Sequence, residues 1–328
     1  MAVRFKALRS REIIRITSHL LCYTMVLWTH PALAKTVGVE QLTFETNPAP
    51  DVVPAKIKAR LYLPKSDKPV PAMVIVNNSG GVLDEIEGHY ARSLSQNGIA
   101  ALVVDSFGPR KLKNIVQDQT LVTSWAMEND AFAALAALKN DKRVDPDRIG
   151  IMGVSKGGLV AQNSAMTVRR EWRRTGSLAF ALHVPIVPDC VSQFRNASTT
   201  GRPIFFMLAE LDDLTPSRPC VEFAERLKVA GNSAVSIKVY RGQHHAWELV
   251  GPVIHNKKSE NWSACGAIIE DNGDRTMKAN NTYVGARSVA KWMKDNCVTR
   301  GAHVGGGTER QKKQATDDLI QFLKQNGF

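Results

Sequence analysis

A chain of 328 residues with 44% hydrophobic and 23% charged residues is too long and too apolar for a disordered tail or a small disulfide scaffold. Its formal net charge of +12 raises the question of nucleic acid. Lys and Arg are scattered among Asp and Glu, however, with no basic stripe and no interleaved aromatics, so the charge reads as solvated surface and no nucleic-acid partner is expected.

Residues 1–34 read as a signal peptide. Arg4, Lys6, Arg9, Arg11 and Arg15 make a basic start, Leu20 to Trp28 an apolar core, and Ala32-Leu33-Ala34 a small-x-small cleavage site. The core falls well short of the roughly 20 apolar residues that span a bilayer, so no stable membrane span is expected, with an uncleaved anchor as the alternative. Cys22 lacks the small preceding residues of a lipoprotein signal. The expectation is a periplasmic or secreted protein starting near Lys35 and forming one domain over 35–328. Beyond the leader stand Cys190, Cys220, Cys265 and Cys297, an even number that predicts two disulfides in an exported chain. The pairs Cys190–Cys220 and Cys265–Cys297 close the shortest non-crossing loops. No Cys-x-x-Cys pair and no His at ligand spacing accompanies them, so no metal is expected.

Strand and helix patterns alternate along the rest. Val39–Glu45 and Lys56–Leu63 read as strands around the turn Asn47-Pro48-Ala49-Pro50. Ala72–Val76 is an apolar, β-branched run of the kind buried on both faces of a parallel sheet. Glu85–Asn97 is amphipathic, with Gly98 placed to end a helix. Strand Ala100–Val104 is followed by a long helix over Leu121–Lys139, which sets Trp125, Phe132, Leu135 and Ala136 on one face. After it come an apolar strand at Ile149–Met152, a helical run Leu159–Met166, and strands Leu178–Ile186 and Ile204–Leu208. A helix Pro219–Val229, a strand Ala234–Tyr240 and an amphipathic helix around Leu319–Leu323 close the series. Such alternation predicts an α/β fold with a doubly wound, mostly parallel sheet and helices on both faces. Gly251–Asn281 is polar and irregular and reads as a loop excursion or lid, and Gly305-Gly306-Gly307 as a flexible joint.

The chemistry concentrates at Gly153-Val154-Ser155-Lys156-Gly157. A Gly-x-Ser-x-Gly turn between a buried strand and a helix is the nucleophile elbow of α/β-hydrolases, its glycines removing side chains that would collide in so tight a turn. A serine hydroxyl needs a general base, and in that fold an acid and then a histidine follow in the chain. An acid-rich segment, Glu210-Leu211-Asp212-Asp213, follows the strand Ile204–Leu208. His244-His245-Ala246-Trp247 follows the last strand. Competing readings are a capping role for Asp212, a surface loop histidine at 245, and His244 as the base. His89, His183, His255 and His303 carry no pattern and read as structural or solvent-exposed.

Here the chain resembles the dienelactone hydrolase family, over nearly all of 35–328. Ala209-Glu210-Leu211-Asp212-Asp213-Leu214-Thr215-Pro216 is similar to that family's Gly-x-x-Asp-Asp-x-x-Pro segment, which implies Asp212 as the triad acid. His245-Ala246-Trp247 matches a histidine followed by a small residue and an aromatic, which implies His245 as the base. Asp105-Ser106-Phe107-Gly108-Pro109-Arg110 also resembles a family segment. Two departures stand out: Ala209 replaces a glycine, and Asn77-Asn78-Ser79-Gly80-Gly81 stands where relatives carry His-Gly. The resemblance implies an oxyanion hole from the N–H groups of Lys156 and Ser79. Arg110 and Trp247 are candidates for substrate binding, with an ion pair and core packing as the rival readings, and Trp262 is a further candidate wall residue. The expected function is an exported serine hydrolase cleaving an ester or lactone-type bond of a small-molecule acyl substrate through an acyl-enzyme on Ser155, His245 and Asp212, without a cofactor. A peptidase or acyltransferase on the same triad, and a non-catalytic binding protein on this scaffold, are the alternatives.

Overall fold

Nine strands lead from the amino-terminal edge of the structure to the last of the site loops: β1 (Gly38–Glu45), β2 (Lys56–Leu63), β3 (Val70–Val76), β4 (Ala100–Asp105), β5 (Val144–Val154), β6 (His183–Ile186), a short β7 (Ser192–Phe194), β8 (Ile204–Ala209) and β9 (Val235–Tyr240). All but β7 join one sheet in the order β1-β2-β4-β3-β5-β6-β8-β9. Strand β2 runs antiparallel to β1 and β4, and every later pairing is parallel. This computed structural model describes residues 38–46 and 52–328; the expected signal peptide and the turn at 47–50 lie outside them. Among the described residues no helix is long and apolar enough to cross a membrane.

The central strands form because their sequences suit burial on both faces. Every residue of β3 and β8 is buried, and both are runs of apolar or β-branched side chains. Helices α1 (His89–Gln96), α2 (Ser124–Lys139), α3 (Lys156–Asn163), α4 (Thr167–Arg173), α5 (Ser217–Val229), α6 (Val289–Asn296) and α7 (Glu309–Gln325) follow in chain order. One core layer joins Ile75 and Met152 to Leu94 of α1 and Leu319 and Leu323 of α7. The opposite layer joins Val74 and Ile151 to Met127 and Leu135 of α2 and Val160 of α3. The fold is thus the α/β-hydrolase architecture that the alternation predicts.

Several expected boundaries move for physical reasons. Helix α2 begins at Ser124 rather than Leu121, because the Thr123 hydroxyl accepts the Ala126 N–H at 3.1 Å and caps it there. Of the run Leu178–Ile186 only His183–Ile186 joins the ladder; Phe180 and Leu182 are apolar because they pack in the core as irregular chain. A π-helical turn at Asp84–Gly88 precedes α1.

The segment read as a lid is instead ordered structure. Strands β10 (Val253–Asn261), β11 (Ala267–Ile269), β12 (Arg275–Met277) and β13 (Tyr283–Val284) run through and just past it, and β14 (Thr299–Gly305) follows. β10 pairs with β14 as an antiparallel ribbon, while β13-β12-β11-β7 form a small second sheet. The outer part of β10 is exposed, so Val253 and Ile254 are followed by a polar run without alternation. Nor is Gly305-Gly306-Gly307 a flexible joint: a Cβ on Gly307 would lie 1.8 Å from the carbonyl oxygen of Trp247, so the backbone needs glycine to approach that loop. The sulfurs pair Cys190 with Cys220 and Cys265 with Cys297.

Candidate active site

Ser155 stands between the end of β5 and the start of α3 with φ 58° and ψ −117°, a region that non-glycine residues rarely occupy and that costs of order 1–3 kcal/mol. The surroundings enforce it. A Cβ on Gly157 would lie 2.2 Å from the carbonyl oxygen of Val76, and one on Gly153 2.5 Å from the Gly157 backbone. The Ser155 N–H donates to Ile186 O at 2.9 Å, which ties the turn to β6.

Asp212 lies on the loop after β8 and His245 on the loop after β9, so both share the carboxyl edge of the sheet with Ser155. His245 Nδ1 donates to Asp212 Oδ2 at 2.8 Å, and both residues are buried. The other carboxylate oxygen, Asp212 Oδ1, accepts the N–H groups of Leu214 and Thr215 at 2.9 and 2.8 Å. Thr215 Oγ1 lies 2.8 Å from Asp212 Oδ2, 3.0 Å from Val187 O and 3.1 Å from His245 Nδ1. Burial by itself would lower the pKa of His245, but the Asp212 carboxylate and its hydrogen bond outweigh it and hold the imidazole above its ordinary value.

The neighbours that compete with these residues face elsewhere. Asp213 turns to the ribbon, 2.7 Å from His303 Nδ1, and its carboxyl is held below the ordinary range: burial opposes this, but the hydrogen bonds from the His303 ring and N–H prevail. The His244 ring lies 5.9 Å from that of His303.

Ser155 sits where two chambers meet, of about 230 and about 150 Å³, each bounded also by Ser79, Gln119 and Leu214. Lys156 and Trp262 line the larger, His245 the smaller. A groove of about 760 Å³ between α1 and α7 is larger but is bounded by none of these residues. Arg110 and Trp247, the expected substrate contacts, reach neither chamber. The Arg110 guanidinium meets the buried Asp130 carboxylate with two bonds of 2.8 and 2.9 Å and also donates to Ser106 O, so its charge is spent inside the protein. Trp247 is fully buried in the core, its ring tilted against that of Tyr240 with centroids 5.1 Å apart.

The loop Asn77–Gly81 explains its own departure from the expected pattern. Asn77 Oδ1 accepts the Ser106 N–H, and Asn78 Oδ1 accepts the Gly80 N–H. Asn78 N–H and Nδ2 both donate to Glu87 Oε1, at 2.9 and 2.8 Å, and the Gly81 N–H donates to Asn78 O. Both asparagines therefore serve as internal braces. Burial pushes the Glu87 carboxyl up to about 7, against the lowering effect of the hydrogen bonds it accepts. Sequence reasoning passed over Thr215, Glu87, Gln119 and Glu260. Only Thr215, inside the acid-loop segment, left a signal; the other three matter through contacts between segments far apart in the chain.

Comparison with known proteins places the fold and the family. The profile of the Dienelactone hydrolase family matches residues 57–267. The chain is 28% identical over 190 residues to a Bradyrhizobium protein assigned as a 2-oxo-3-(5-oxofuran-2-ylidene)propanoate lactonase, covering 54% of this chain and 73% of that one. It is 32% identical over 117 residues to a protein of Bacillus subtilis (strain 168) assigned as a hydrolase, covering 30% of this chain and 39% of that one. A crystal structure of a Klebsiella pneumoniae protein assigned to the dienelactone hydrolases superposes with a TM-score of 0.55 at 14% identity, covering 88% of this chain and 99% of that one. The chain belongs to the dienelactone hydrolase family and is a hydrolase acting on ester bonds.

Proposed function

We propose that this chain is an exported serine hydrolase that opens an ester or lactone of a compact substrate through an acyl-enzyme. The observation that carries the reading is the 2.8 Å bond from His245 to Asp212, buried beside a chamber whose wall includes the strained Ser155. In this reading Ser155 Oγ attacks the carbonyl carbon while His245 Nε2 takes its proton. Asp212 keeps the imidazole proton on Nδ1 and stabilises the imidazolium. The tetrahedral oxyanion accepts the N–H groups of Lys156 and Ser79. Two features support that pair: Lys156 is the first residue of α3, where N–H groups have no partner within the helix, and the neighbouring N–H groups are already bonded, that of Asn78 to Glu87 and those of Gly80 and Gly81 to Asn78. Collapse of the intermediate expels the alcohol, or opens the ring of a lactone, with the proton returned by His245. Water then repeats the sequence on the acyl-Ser155 ester.

Each chamber taken singly is small, about 230 and about 150 Å³, so each suits one modest substituent of a substrate whose carbonyl lies at Ser155 between them. Export is supported by the two disulfides, which need an oxidising compartment, together with the basic and apolar start of the sequence. A fluorophosphonate probe tests the site. It should label the purified protein once, and Ser155→Ala should lose both the label and turnover of a chromogenic acyl ester. Full labelling of Ser155→Ala would overturn the assignment.

A further inference from the structure

The loop between β4 and α2 supplies no member of the triad, yet one residue in it touches both sides of the expected oxyanion hole. Gln119 Oε1 accepts the Ser79 hydroxyl at 2.9 Å and the Lys156 ammonium at 3.3 Å. Its main-chain oxygen accepts the same ammonium at 2.6 Å. Its N–H donates to Glu260 Oε2 at 2.7 Å, and Glu260 is itself buried, near Lys294 and bonded from Trp262 Nε1 at 3.3 Å. Four residues earlier, the Ile115 N–H donates to Ser79 O at 2.9 Å.

We propose that Gln119 is a positioning residue for the oxyanion hole, its side-chain oxygen joining Ser79 and Lys156 so that their two N–H groups converge on one point. The inference rests on the acyl-enzyme reading given above. Ser79 needs such a tether because it precedes Gly80-Gly81, where backbone freedom is greatest, and because the N–H groups on either side of it, at 78 and 80, are already bonded to side chains. Oxyanion donors act only when fixed where the charge will develop, to within about 0.5 Å of the productive geometry. The Lys156 side chain shows that the arrangement has a cost. Burial pushes its ammonium down to about 7, although Glu260 and Asp118 oppose the shift. A lysine at this position free to reach solvent would keep its ordinary value. It is folded inward instead, onto the oxygens of Gln119.

The test compares Gln119→Leu, which removes the acceptor, with Gln119→Glu, which keeps an oxygen for both partners. Rates are normalised to sites titrated with fluorophosphonate, so that a loss of folded protein does not count as a loss of rate. Gln119→Leu should lower kcat about 10- to 100-fold with KM within about threefold, because oxyanion contacts form only in the transition state. Its affinity for a trifluoromethyl ketone, which adds the serine oxygen and holds an oxyanion in the hole, should fall by a similar factor. Gln119→Glu, which keeps the acceptor but adds a charge near the hole, should lose less than Gln119→Leu on both measures. Ser79→Ala should lower kcat in the wild type and have little further effect in the Gln119→Leu background, since both changes cut the same tether. If Ser155→Ala turns over ester like the wild type, the acyl-enzyme reading falls and the role of Gln119 with it. If Ser155→Ala is inactive while Gln119→Leu keeps wild-type kcat and ketone affinity, the Gln119 assignment alone falls.

Discussion

Replacing Asp212 with Asn changes one oxygen to an NH₂ group, and the structure dictates where that group must go. Asp212 Oδ1 accepts two backbone N–H groups, from Leu214 and Thr215, so the amide oxygen has to stay there; the opposite orientation would set an NH₂ against two donors. The NH₂ therefore faces His245 Nδ1, where the carboxylate oxygen stood at 2.8 Å. A donor facing Nδ1 stabilises the tautomer protonated on Nε2, and that nitrogen can then no longer take the serine proton. A triad in the wrong tautomer loses about 10⁴ in kcat, or about 5.5 kcal/mol at 1.36 kcal/mol per decade. Turnover of a chromogenic acyl ester should fall by that factor, while circular dichroism and the thermal midpoint stay close to wild type. Asp213→Asn is the control, because its carboxylate is half-exposed and bonded to His303, and it should keep most activity. A folded Asp212→Asn protein retaining more than about a tenth of kcat/KM would refute the reasoning, and inactivity of Asp213→Asn instead would move the acid by one residue.

Activity should require a neutral His245, and its pKa is raised, so kcat/KM should fall below a midpoint above 6.5; Asp212→Asn removes the two largest contributions that oppose burial, and the midpoint should move down. Glu87 is raised from 4.5 to about 7, so its folded form favours the proton, and stability should decline as pH rises through that interval; urea melts at either end should show Glu87→Gln losing this decline. Each disulfide closes a loop of about 30 residues, and reduction should destabilise by roughly 3–4 kcal/mol per bridge in the loop-entropy picture, read as a lower urea midpoint. Material recovered from periplasm or medium should begin at Lys35 on N-terminal sequencing, whereas a full-length chain held in salt-washed membranes would favour an anchored protein.

The parts of this molecule legible in its sequence are those fixed by local pattern. Buried parallel strands announce themselves as apolar runs, and the elbow does so because both its glycines stand within two residues of Ser155, Gly153 kept by the nearby Gly157 backbone and Gly157 by the Val76 carbonyl of β3. The acid and base loops stand out because they follow such strands. Less legible were features whose cause lies far away in the chain. Arg110 has the chemistry of an anion-binding group and the position of one, but Asp130, twenty residues on, takes its charge. Nothing local distinguishes Trp247 as a wall residue from Trp247 as core. The ribbon β10–β14 pairs segments far apart in the chain, from Asn261 with Thr299 to Val253 with Gly305, and its exposed strand has none of the alternation that marks a half-buried one.

That ribbon, whose first strand lies in the segment 251–281 read from sequence as a loop excursion or lid, braces all three site loops at once. Gly305 N–H donates to His245 O at 2.8 Å, and His245 bridges to Val304 beside it, which fixes the base loop from outside the sheet. Asn261 Nδ2 donates to Asp213 O at 2.9 Å, and His303 holds the Asp213 carboxylate, so the acid loop is gripped on the side away from His245. Glu260 holds Gln119, which reaches Ser79 and Lys156. A lid opens and closes over a site; a segment hydrogen-bonded to each of its loops cannot move without disturbing the catalytic geometry. The Cys265–Cys297 bridge crosses the base of the ribbon, four residues from Asn261 and two from Thr299, where it limits the ribbon's freedom to part. Reduction of that bridge, alone of the two, should therefore loosen the active site before the protein unfolds. The expected sign is a drop in kcat for a Cys265→Ala/Cys297→Ala protein under conditions where its circular dichroism is unchanged. The matching Cys190→Ala/Cys220→Ala protein should lose stability with kcat kept; equal losses of kcat in both would show that the ribbon has no special hold on the site.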